Sequence, residues 1–392
     1  MPDYKYLIVG GGMTADAAVK GIREIDATGS IGIIGSEPHP PYDRPPLSKA
    51  LWKGSPVEKI WRTTPPENLQ IHSGKTATTL DPSTKTVVDD TGTSYRYRTL
   101  LLATGGTVRR FPWSVEGIIY YRTLDDYTRL RKETERGNTF AVIGGGFIGS
   151  EIAAALTLNG KKVTIIFPDN GIGAKIYPRK LSQFLNTFYQ SKGVEIVPGE
   201  SVAGIEANGG SFSIRTKQGK EFKVDGVVAG IGIEPNVALA NSAGLKVENG
   251  IVVDEYTATS QPDIHAAGDV ANFYNPALET RMRVEHEDNA NSMGAAAGRN
   301  MAGARQPYHH LPFFYSDLFE LGYEAVGDTD ARLEMVEQWK EPYREGVVYY
   351  IGAGRVRGVL LWNTWDQVEH ARRLIAEKGP FTPANVRGRL PA

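Results

Sequence analysis

Gly10-Gly11-Gly12-Met13-Thr14-Ala15 follows the apolar run Tyr6-Leu7-Ile8-Val9, and Gly144-Gly145-Gly146-Phe147-Ile148-Gly149 follows Phe140 to Ile143. Each stretch reads as a buried strand, a glycine turn and the start of a helix, and the second copy lies a domain's length beyond the first. The spacing predicts helices over Ala17 to Ile25 and from Glu151 to about Asn159, followed by second strands at Ile31 to Ile34 and Val163 to Phe167. In a dinucleotide-binding turn the first glycine makes the bend and the second lets backbone approach a pyrophosphate. A small third residue then lets helix and strand pack closely. Ala15 and Gly149 fill that third role. The helix N-terminus offers N–H groups and the positive end of its dipole to the phosphates. Beyond each second strand stands an acid, Glu37 in the first copy and Asp169 in the second, placed to accept from ribose hydroxyls. One such turn alone is weak evidence, since glycines also punctuate ordinary bends in a parallel sheet. Two complete strand–turn–helix–strand units in one chain point to two dinucleotides.

Composition narrows the chemistry. The 392 residues, 41% of them hydrophobic, can bury more than one core. Lys plus Arg number 44 against 45 Asp plus Glu, a net charge of -1, so no global field draws in nucleic acid and no nucleic-acid partner is expected. The chain has no Cys, which excludes a thiol nucleophile, a redox-active disulfide and a cysteine-bound cluster. Electrons must therefore travel on bound organic cofactors. The seven His show no metal-ligand spacing, and no metal is expected; His309-His310, in a proline-flanked loop, read as solvent-exposed. Met1 to Tyr6 carry no leader pattern, and no apolar run approaches the ~20 residues of a membrane helix. The expectation is a cytoplasmic protein with no membrane segment.

Glu37 to Lys49 is a proline-stiffened segment bearing Arg44 and Lys49, as suits a loop that grips a cofactor. Leu100 to Gly106 and Ile264 to Asp269 are apolar runs ending in small residues, where a flat ligand can lie on backbone and Asp269 can reach a ribityl hydroxyl. Through Pro41 to Lys49, Ala103 to Gly106, Gly144 to Glu151 and Ala267 to Val270, the chain resembles the two-dinucleotide-binding-domain flavoproteins of the ferredoxin-reductase-like branch. Phe167 to Lys175, Arg283 to Ala290, Phe314 to Leu318 and Gly322 to Gly327 are similar to the apoptosis-inducing-factor family, a likeness that runs to Leu361-Trp362-Asn363. Tyr315 stands where that family usually has Trp, Asp169 where it has Glu, and the C-terminal part is too short for the long insertion of the animal proteins.

The resemblance implies an α/β fold of two Rossmann-like dinucleotide-binding domains and a C-terminal α+β domain. The FAD domain, 1–107 and 233–308, is split by an inserted NAD domain, 108–232. Residues 309–392 form a dimerisation or interface-like domain. FAD contacts are implied for Gly10, Gly12, Ala15, Glu37, Arg44, Lys49, Ala77, Thr104, Gly105, Arg122, Asp269, Glu285, His286 and Tyr315. Contacts with the nicotinamide nucleotide are implied for Gly144, Gly146, Phe147, Ile148, Gly149, Glu151, Asp169, Lys175, Gly232 and Glu285. Hydride passes from nicotinamide C4 to flavin N5, which requires stacked rings with water excluded.

Four residues are the expected catalytic group. Lys49 and Glu151 form an ion pair beside N5; the alternative leaves each in solvent, Lys49 capping its loop and Glu151 steadying a helix start. Phe147 is a gate or stacking surface for the nicotinamide, or simply an apolar residue closing its turn. His286 precedes a small-residue helix, Ala290 to Asn300, aimed at the flavin pyrimidine; otherwise it is an ordinary helix-start histidine. Asp169 disfavours a 2′-phosphate, so NADH is expected over NADPH.

The leading function is an FAD-dependent NADH oxidoreductase whose acceptor is quinone-like or a protein. A second is a reductase for ferredoxin or rubredoxin, with Arg109, Arg110 or Arg305 meeting an acidic partner. A third is a redox-gated binding protein, in which NADH forms a long-lived charge-transfer complex and the reduced chain forms a homodimer. Most of Tyr349-Tyr350, Trp362 and Trp365 are expected in the core or interface of the C-terminal domain, with one of them open to flank the flavin.

Overall fold

The apolar runs that read as strands are the centres of two parallel sheets in a computed structural model that describes residues 1–391. The chain divides into two compact units. One comprises 1–43, 57–107 and 234–313; the other comprises 44–56, 108–233 and 314–392.

In the first unit Asp3–Val9 lies between Ile31–Gly35 and Ser94–Leu102, parallel to both. Leu69–Ser73 extends the sheet on one side, and Ile264–Ala266 pairs in parallel with the end of Ser94–Leu102. The antiparallel strands Ala77–Asp81 and Thr86–Asp89 complete it. Leu7, Ile8, Ile31, Ile33 and Leu100 to Leu102 are fully enclosed, each contributing roughly 1.5–3 kcal/mol of transfer free energy. Two helices, Met13–Ile25 and Glu287–Met301, run against one another in this unit. A Cβ on Gly21 would stand 2.1 Å from the Ala295 carbonyl, and one on Gly298 would stand 2.1 Å from that of Ala18. Small residues therefore bring the two backbones into contact.

The second unit repeats the pattern. Its parallel sheet runs Glu195–Pro198, Lys162–Phe167, Thr139–Ile143, Gly226–Ala229, Ile119–Tyr120. A three-stranded antiparallel sheet, Val202–Asn208, Ser211–Thr216 and Glu221–Val224, is inserted within it. The C-terminal part is a five-stranded sheet in the order Phe313–Leu318, Leu321–Gly327, Arg355–Trp362, Glu345–Gly352, Glu334–Glu341, with the helix Val368–Ala376 packed on it. Two Rossmann-like sheets, as the glycine turns announced, and an α+β C-terminal part, as the family resemblance implied, make up the fold.

Details differ from expectation in an instructive way. The first helix begins at Met13, the second at Phe147 and the helix after His286 at Glu287, three to four residues before the predicted starts. Met13-Thr14 and Phe147-Ile148 read as turn residues, but they already hold helical backbone because the bend is complete at Gly12 and Gly146. Tyr349, Tyr350 and Trp362 are fully buried, as expected, whereas Trp365 is 49% exposed. His309 is exposed as predicted; His310 is not a solvent histidine, because its Nε2 lies 2.6 Å from the Asp288 carboxylate.

Candidate functional site

At the first turn Gly10 has φ +122°, and its N–H bonds the Ile34 carbonyl at 2.8 Å. A Cβ there would meet the Ala103 carbonyl at 2.1 Å, so the position tolerates glycine alone. A Cβ on Gly12 would meet nothing within 4 Å. The backbone at Gly12 thus borders open space at the start of the Met13–Ile25 helix, which has no side-chain cap. Ala15 is fully buried. Gly268, φ +76°, brings the 268–270 turn and Asp269 against Thr14, whose Oγ1 would lie 2.3 Å from an added Cβ. The other first-unit residues named from the sequence have their own local contacts. Glu37 accepts from the Tyr42 hydroxyl. Thr104 Oγ1 donates to the Asn236 carbonyl at 2.8 Å, and the Gly105 carbonyl accepts from Asn236 N–H at 2.9 Å. Ala77 opens the strand facing Asp89. Glu285 pairs with Arg283 at 2.6 Å, whose guanidinium also bonds the Asp269 carbonyl at 3.0 Å. His286 is the N-cap residue of the Glu287–Met301 helix.

The second turn has the same construction. Gly144, φ +117°, would carry a Cβ 2.3 Å from the Gly230 carbonyl, and a Cβ on Gly149 would fall 1.8 Å from the Gly144 carbonyl. Gly146, like Gly12, borders open space, and its helix also has no side-chain cap. Ile148 is 36% exposed. The Asp169 carbonyl accepts from Gly199 N–H at 3.0 Å, and Gly173 N–H bonds the Gly145 carbonyl at 2.9 Å, folding the 169–175 segment beside the turn. Lys175 is exposed at its end, with its carbonyl bonded to Ala331 N–H at 2.9 Å. Gly232, φ +95°, accepts from Arg109 N–H at 2.9 Å.

The helix that starts at Phe147 carries Glu151 four residues on, so both side chains lie on one face. Phe313–Leu318 matches that face: two residues along a strand span about 6.6 Å and one helical turn of four residues about 6 Å. Phe314 accordingly packs edge-on against Phe147, ring centroids 5.1 Å apart, and Ser316 Oγ donates to Glu151 Oε1 at 2.6 Å. The other carboxylate oxygen accepts from Lys49 Nζ at 2.8 Å and from the Ser48 hydroxyl. Glu151 is 3% exposed, and the Lys49 side chain 12%. A buried carboxylate with one ammonium and two hydroxyl donors is a satisfied anion. Beneath it, burial pushes the Tyr177 and Tyr323 hydroxyls well above their usual range, and the Glu151 charge adds to the effect, so both phenols stay neutral. The Tyr315 ring lies 5.3 Å from Lys49 Nζ. Arg44 Nη1 donates to the Arg122 carbonyl at 2.9 Å, holding the same loop to the segment before the Leu124–Arg136 helix.

Lys49, Glu151 and Phe147 are therefore brought together, and the solvent-exposed alternative for the pair does not hold. Ser48 and Ser316 were not singled out from sequence. Ser48 had a signal in its adjacency to Lys49; Ser316 lies in the family-resembling Phe314 to Leu318, with nothing to pair it with Glu151 165 positions away.

Both turns fit dinucleotides: the backbone cradles are open where a Cβ would stand, and the helix starts lack side-chain caps. The profile described as pyridine nucleotide-disulphide oxidoreductase matches residues 4–294. The chain belongs to this family. A profile described as the C-terminal part of mitochondrion-associated apoptosis-inducing factor matches 297–341 and 334–377. Over 97% of its length the chain is 32% identical to apoptosis-inducing factor 1, mitochondrial, of Dictyostelium discoideum, covering 80% of that protein. Over 95% it is 33% identical to the ferredoxin–NAD(+) reductase component of the anthranilate 1,2-dioxygenase system of Burkholderia cepacia, covering 94% of it. The crystal structure of the covalent putidaredoxin reductase–putidaredoxin complex matches with a TM-score of 0.90 at 29% identity, covering 98% of this chain and 95% of that one. As a member of the pyridine nucleotide-disulphide oxidoreductase family without a single Cys, the chain has no counterpart of the disulphide in the family's description. It is an FAD-dependent oxidoreductase that takes hydride from NADH. No helix among the described residues is long and apolar enough to cross a membrane.

Proposed function

We propose that this protein is the NADH-consuming reductase of an electron-transfer chain and hands electrons one at a time to a small redox protein of the ferredoxin class. When bound, NADH supplies a hydride and FAD takes up the electron pair and can release it singly. The observation that carries the reading is the buried Lys49–Glu151 pair with its two serine donors, in a chain that has no thiol to relay electrons. Lys49 places a fixed positive charge where negative charge accumulates on reduction, and Glu151, held by Ser48 and Ser316, keeps the ammonium in place. Phe147, braced by Phe314, excludes water beside the nicotinamide. Gly10, Gly12, Ala15, Glu37, Arg44, Ala77, Thr104, Gly105, Arg122, Asp269, Glu285, His286 and Tyr315 hold FAD. Gly144, Gly146, Ile148, Gly149, Asp169, Lys175 and Gly232 hold the nicotinamide nucleotide, with Glu285 shared. The FAD domain is 1–107 with 233–308, the NAD domain 108–232 and the third domain 309–392. A cytoplasmic location belongs to the same reading.

Support for a protein acceptor comes from the full-length likeness to ferredoxin reductases. Anaerobic titration with NADH and then NADPH, followed by turnover with a supplied ferredoxin or a soluble quinone, tests it. The expected result is flavin bleaching by NADH and turnover with ferredoxin that falls as salt rises; no turnover with ferredoxin at any ionic strength overturns the protein-acceptor reading. A second reading, an NADH-gated protein that dimerises when reduced, draws on the match of 297–377 to the apoptosis-inducing-factor C-terminal profile. An elution volume unchanged by NADH on sizing chromatography removes it.

A further inference from the structure

The carbonyl two residues before Lys49 carries two hydrogen bonds. Leu47 O accepts from Trp52 Nε1 at 2.9 Å and from the Tyr121 hydroxyl, and the indole N–H also reaches the Tyr121 oxygen at 3.3 Å. Leu47, Trp52 and Tyr121 are all buried. Burial keeps the Tyr121 phenol far above its ordinary range, so it stays a neutral donor. Its backbone is tied to the second unit's parallel sheet, because Tyr121 N–H bonds the carbonyl of Ala229 at 3.2 Å, at the end of the strand Gly226–Ala229.

Trp52 is itself fastened to the helix that carries Glu151. Ser48 and Lys49 donate to Glu151, and three residues on the Trp52 carbonyl accepts from Asn159 Nδ2 at 3.1 Å. Asn159 is the C-cap of the Phe147–Leu158 helix and lies about 12 Å along its axis from Glu151. Asn159 Oδ1 accepts from Arg131 Nη1 at 3.2 Å, and the Arg131 guanidinium lies 5.0 Å from the Trp52 ring. Tyr127 packs edge-on against the same indole, with centroids 5.5 Å apart. The indole is therefore held on two sides by the helices Leu124–Arg136 and Phe147–Leu158, and its N–H points back at Leu47. All of these residues belong to the second unit, as do Lys49, Glu151 and Ser316.

A buried carbonyl needs a donor. With both donors gone, the Leu47–Ser48 peptide would turn toward another partner. That plane directs the chain into Ser48, so its rotation would carry the Ser48 hydroxyl and the Lys49 ammonium off Glu151. We propose that Trp52 and Tyr121 are positioning residues: their hydrogen bonds to the Leu47 carbonyl fix the peptide plane entering Ser48 and so hold Ser48 and Lys49 against Glu151. The inference rests on the assignment of Lys49 beside the reacting ring. A misplacement of about an ångström at a reacting geometry costs on the order of a hundredfold in rate. The double variant Trp52→Phe/Tyr121→Phe should therefore slow flavin reduction by NADH roughly ten- to a hundredfold, and each single variant about two- to fivefold, with an unchanged NADH dissociation constant.

The test compares flavin-loaded wild type, Trp52→Phe, Tyr121→Phe and the double variant by stopped-flow reduction over a range of NADH concentrations, hydrogen exchange of peptides covering 47–54, and thermal melting. Arg131→Met is the structural control, since it removes the charge over Trp52 and the bond to Asn159 but leaves both donors on Leu47. The expected result is slower reduction and faster exchange in 47–54 from wild type through the single variants to the double variant, while Arg131→Met melts lower and reduces at the wild-type rate. Wild-type reduction in the double variant, or slowing that follows the melting temperature across the series with Arg131→Met included, overturns the proposal. Where the double variant fails to fold, the single variants decide, and wild-type rates in both overturn it. Lys49→Met separates the two readings. If it reduces at the wild-type rate, the assignment of Lys49 fails, while exchange in 47–54 still decides whether the Leu47 carbonyl is the anchor.

Discussion

Lys49→Met, Glu151→Gln and the double variant form a cycle whose outcome the geometry fixes. The pair is buried, at 12% and 3% side-chain exposure, with Nζ 2.8 Å from Oε2. Removing one member of such a pair ordinarily costs about 3–5 kcal/mol, because the other is left charged and enclosed. Here the two losses differ. In Lys49→Met the Glu151 carboxylate keeps the hydroxyls of Ser48 and Ser316, each bond to a charged group contributing about 1.5–3 kcal/mol, so the cost falls toward ~2 kcal/mol. In Glu151→Gln the amide can still accept from one serine, but it turns a donor toward Lys49 or the other serine. That variant should lose more, about 3–4 kcal/mol. With both changed, the charge conflict is gone, and the double variant should recover about 1–3 kcal/mol of the summed losses. Urea unfolding of the four flavin-loaded proteins, followed by tryptophan fluorescence, measures this directly. Losses that add to within about 0.5 kcal/mol would show that the two groups do not act as a pair and would refute the reasoning.

Gly12→Ala should fold with a melting temperature near that of wild-type apoprotein yet purify colourless, because its Cβ meets no protein atom and occupies only the space assigned to phosphate; Gly10→Ala, whose Cβ meets a carbonyl at 2.1 Å, should lose stability as well. A yellow Gly12→Ala protein with wild-type FAD affinity would remove the first turn as the phosphate cradle. Replacing Asp169 by Ser should raise the NADPH to NADH ratio of kcat/KM by about tenfold or more, as a like charge facing the 2′-phosphate is removed; steady-state kinetics with both nucleotides reads it. Burial holds the His265 imidazole below its ordinary pKa, partly opposed by the Tyr256 carbonyl. The unfolded state, with its histidine near 6.5, then binds more protons between the two values, so stability is complete above about pH 6.5 and is lost as pH falls toward the depressed folded value. His72, also lowered by burial, adds the same sign. His265→Gln should therefore flatten, though not abolish, the decline of the urea midpoint between about pH 7.5 and 5; an unaltered slope would exclude it as a contributor.

The fold was legible because its strongest determinants are local. Gly10 and Gly144 hold φ values near +120°, which side chains rarely adopt, and each is preceded by a run of residues buried on both faces of a parallel sheet. Sequence spacing placed the turns correctly but started each helix late, because Met13 and Phe147 look like loop residues when only the glycines are counted. That error mattered for the site. With Phe147 taken as part of a turn, its relation to Glu151 is undefined; with Phe147 as the first helical residue, the two stack at one-turn spacing and the strand bearing Phe314 and Ser316 can meet both.

What sequence did not disclose is the set of contacts made over long separations. Ser316 reaches Glu151 across 165 positions and Arg62 reaches Asn291 across 229; Phe314 to Leu318 carries a family resemblance but nothing that pairs Ser316 with Glu151, and Arg62 lies in none of the quoted segments. His310 was misread for the same reason: proline neighbours mark a loop, but only the folded chain shows that the loop returns to Asp288 at the second position of a helix. If Asp169 sets the choice of nucleotide while Ser48 and Ser316 set how Glu151 and Lys49 are held, changes at Ser48 and Ser316 should alter the rate of reduction while leaving the preference for NADH untouched.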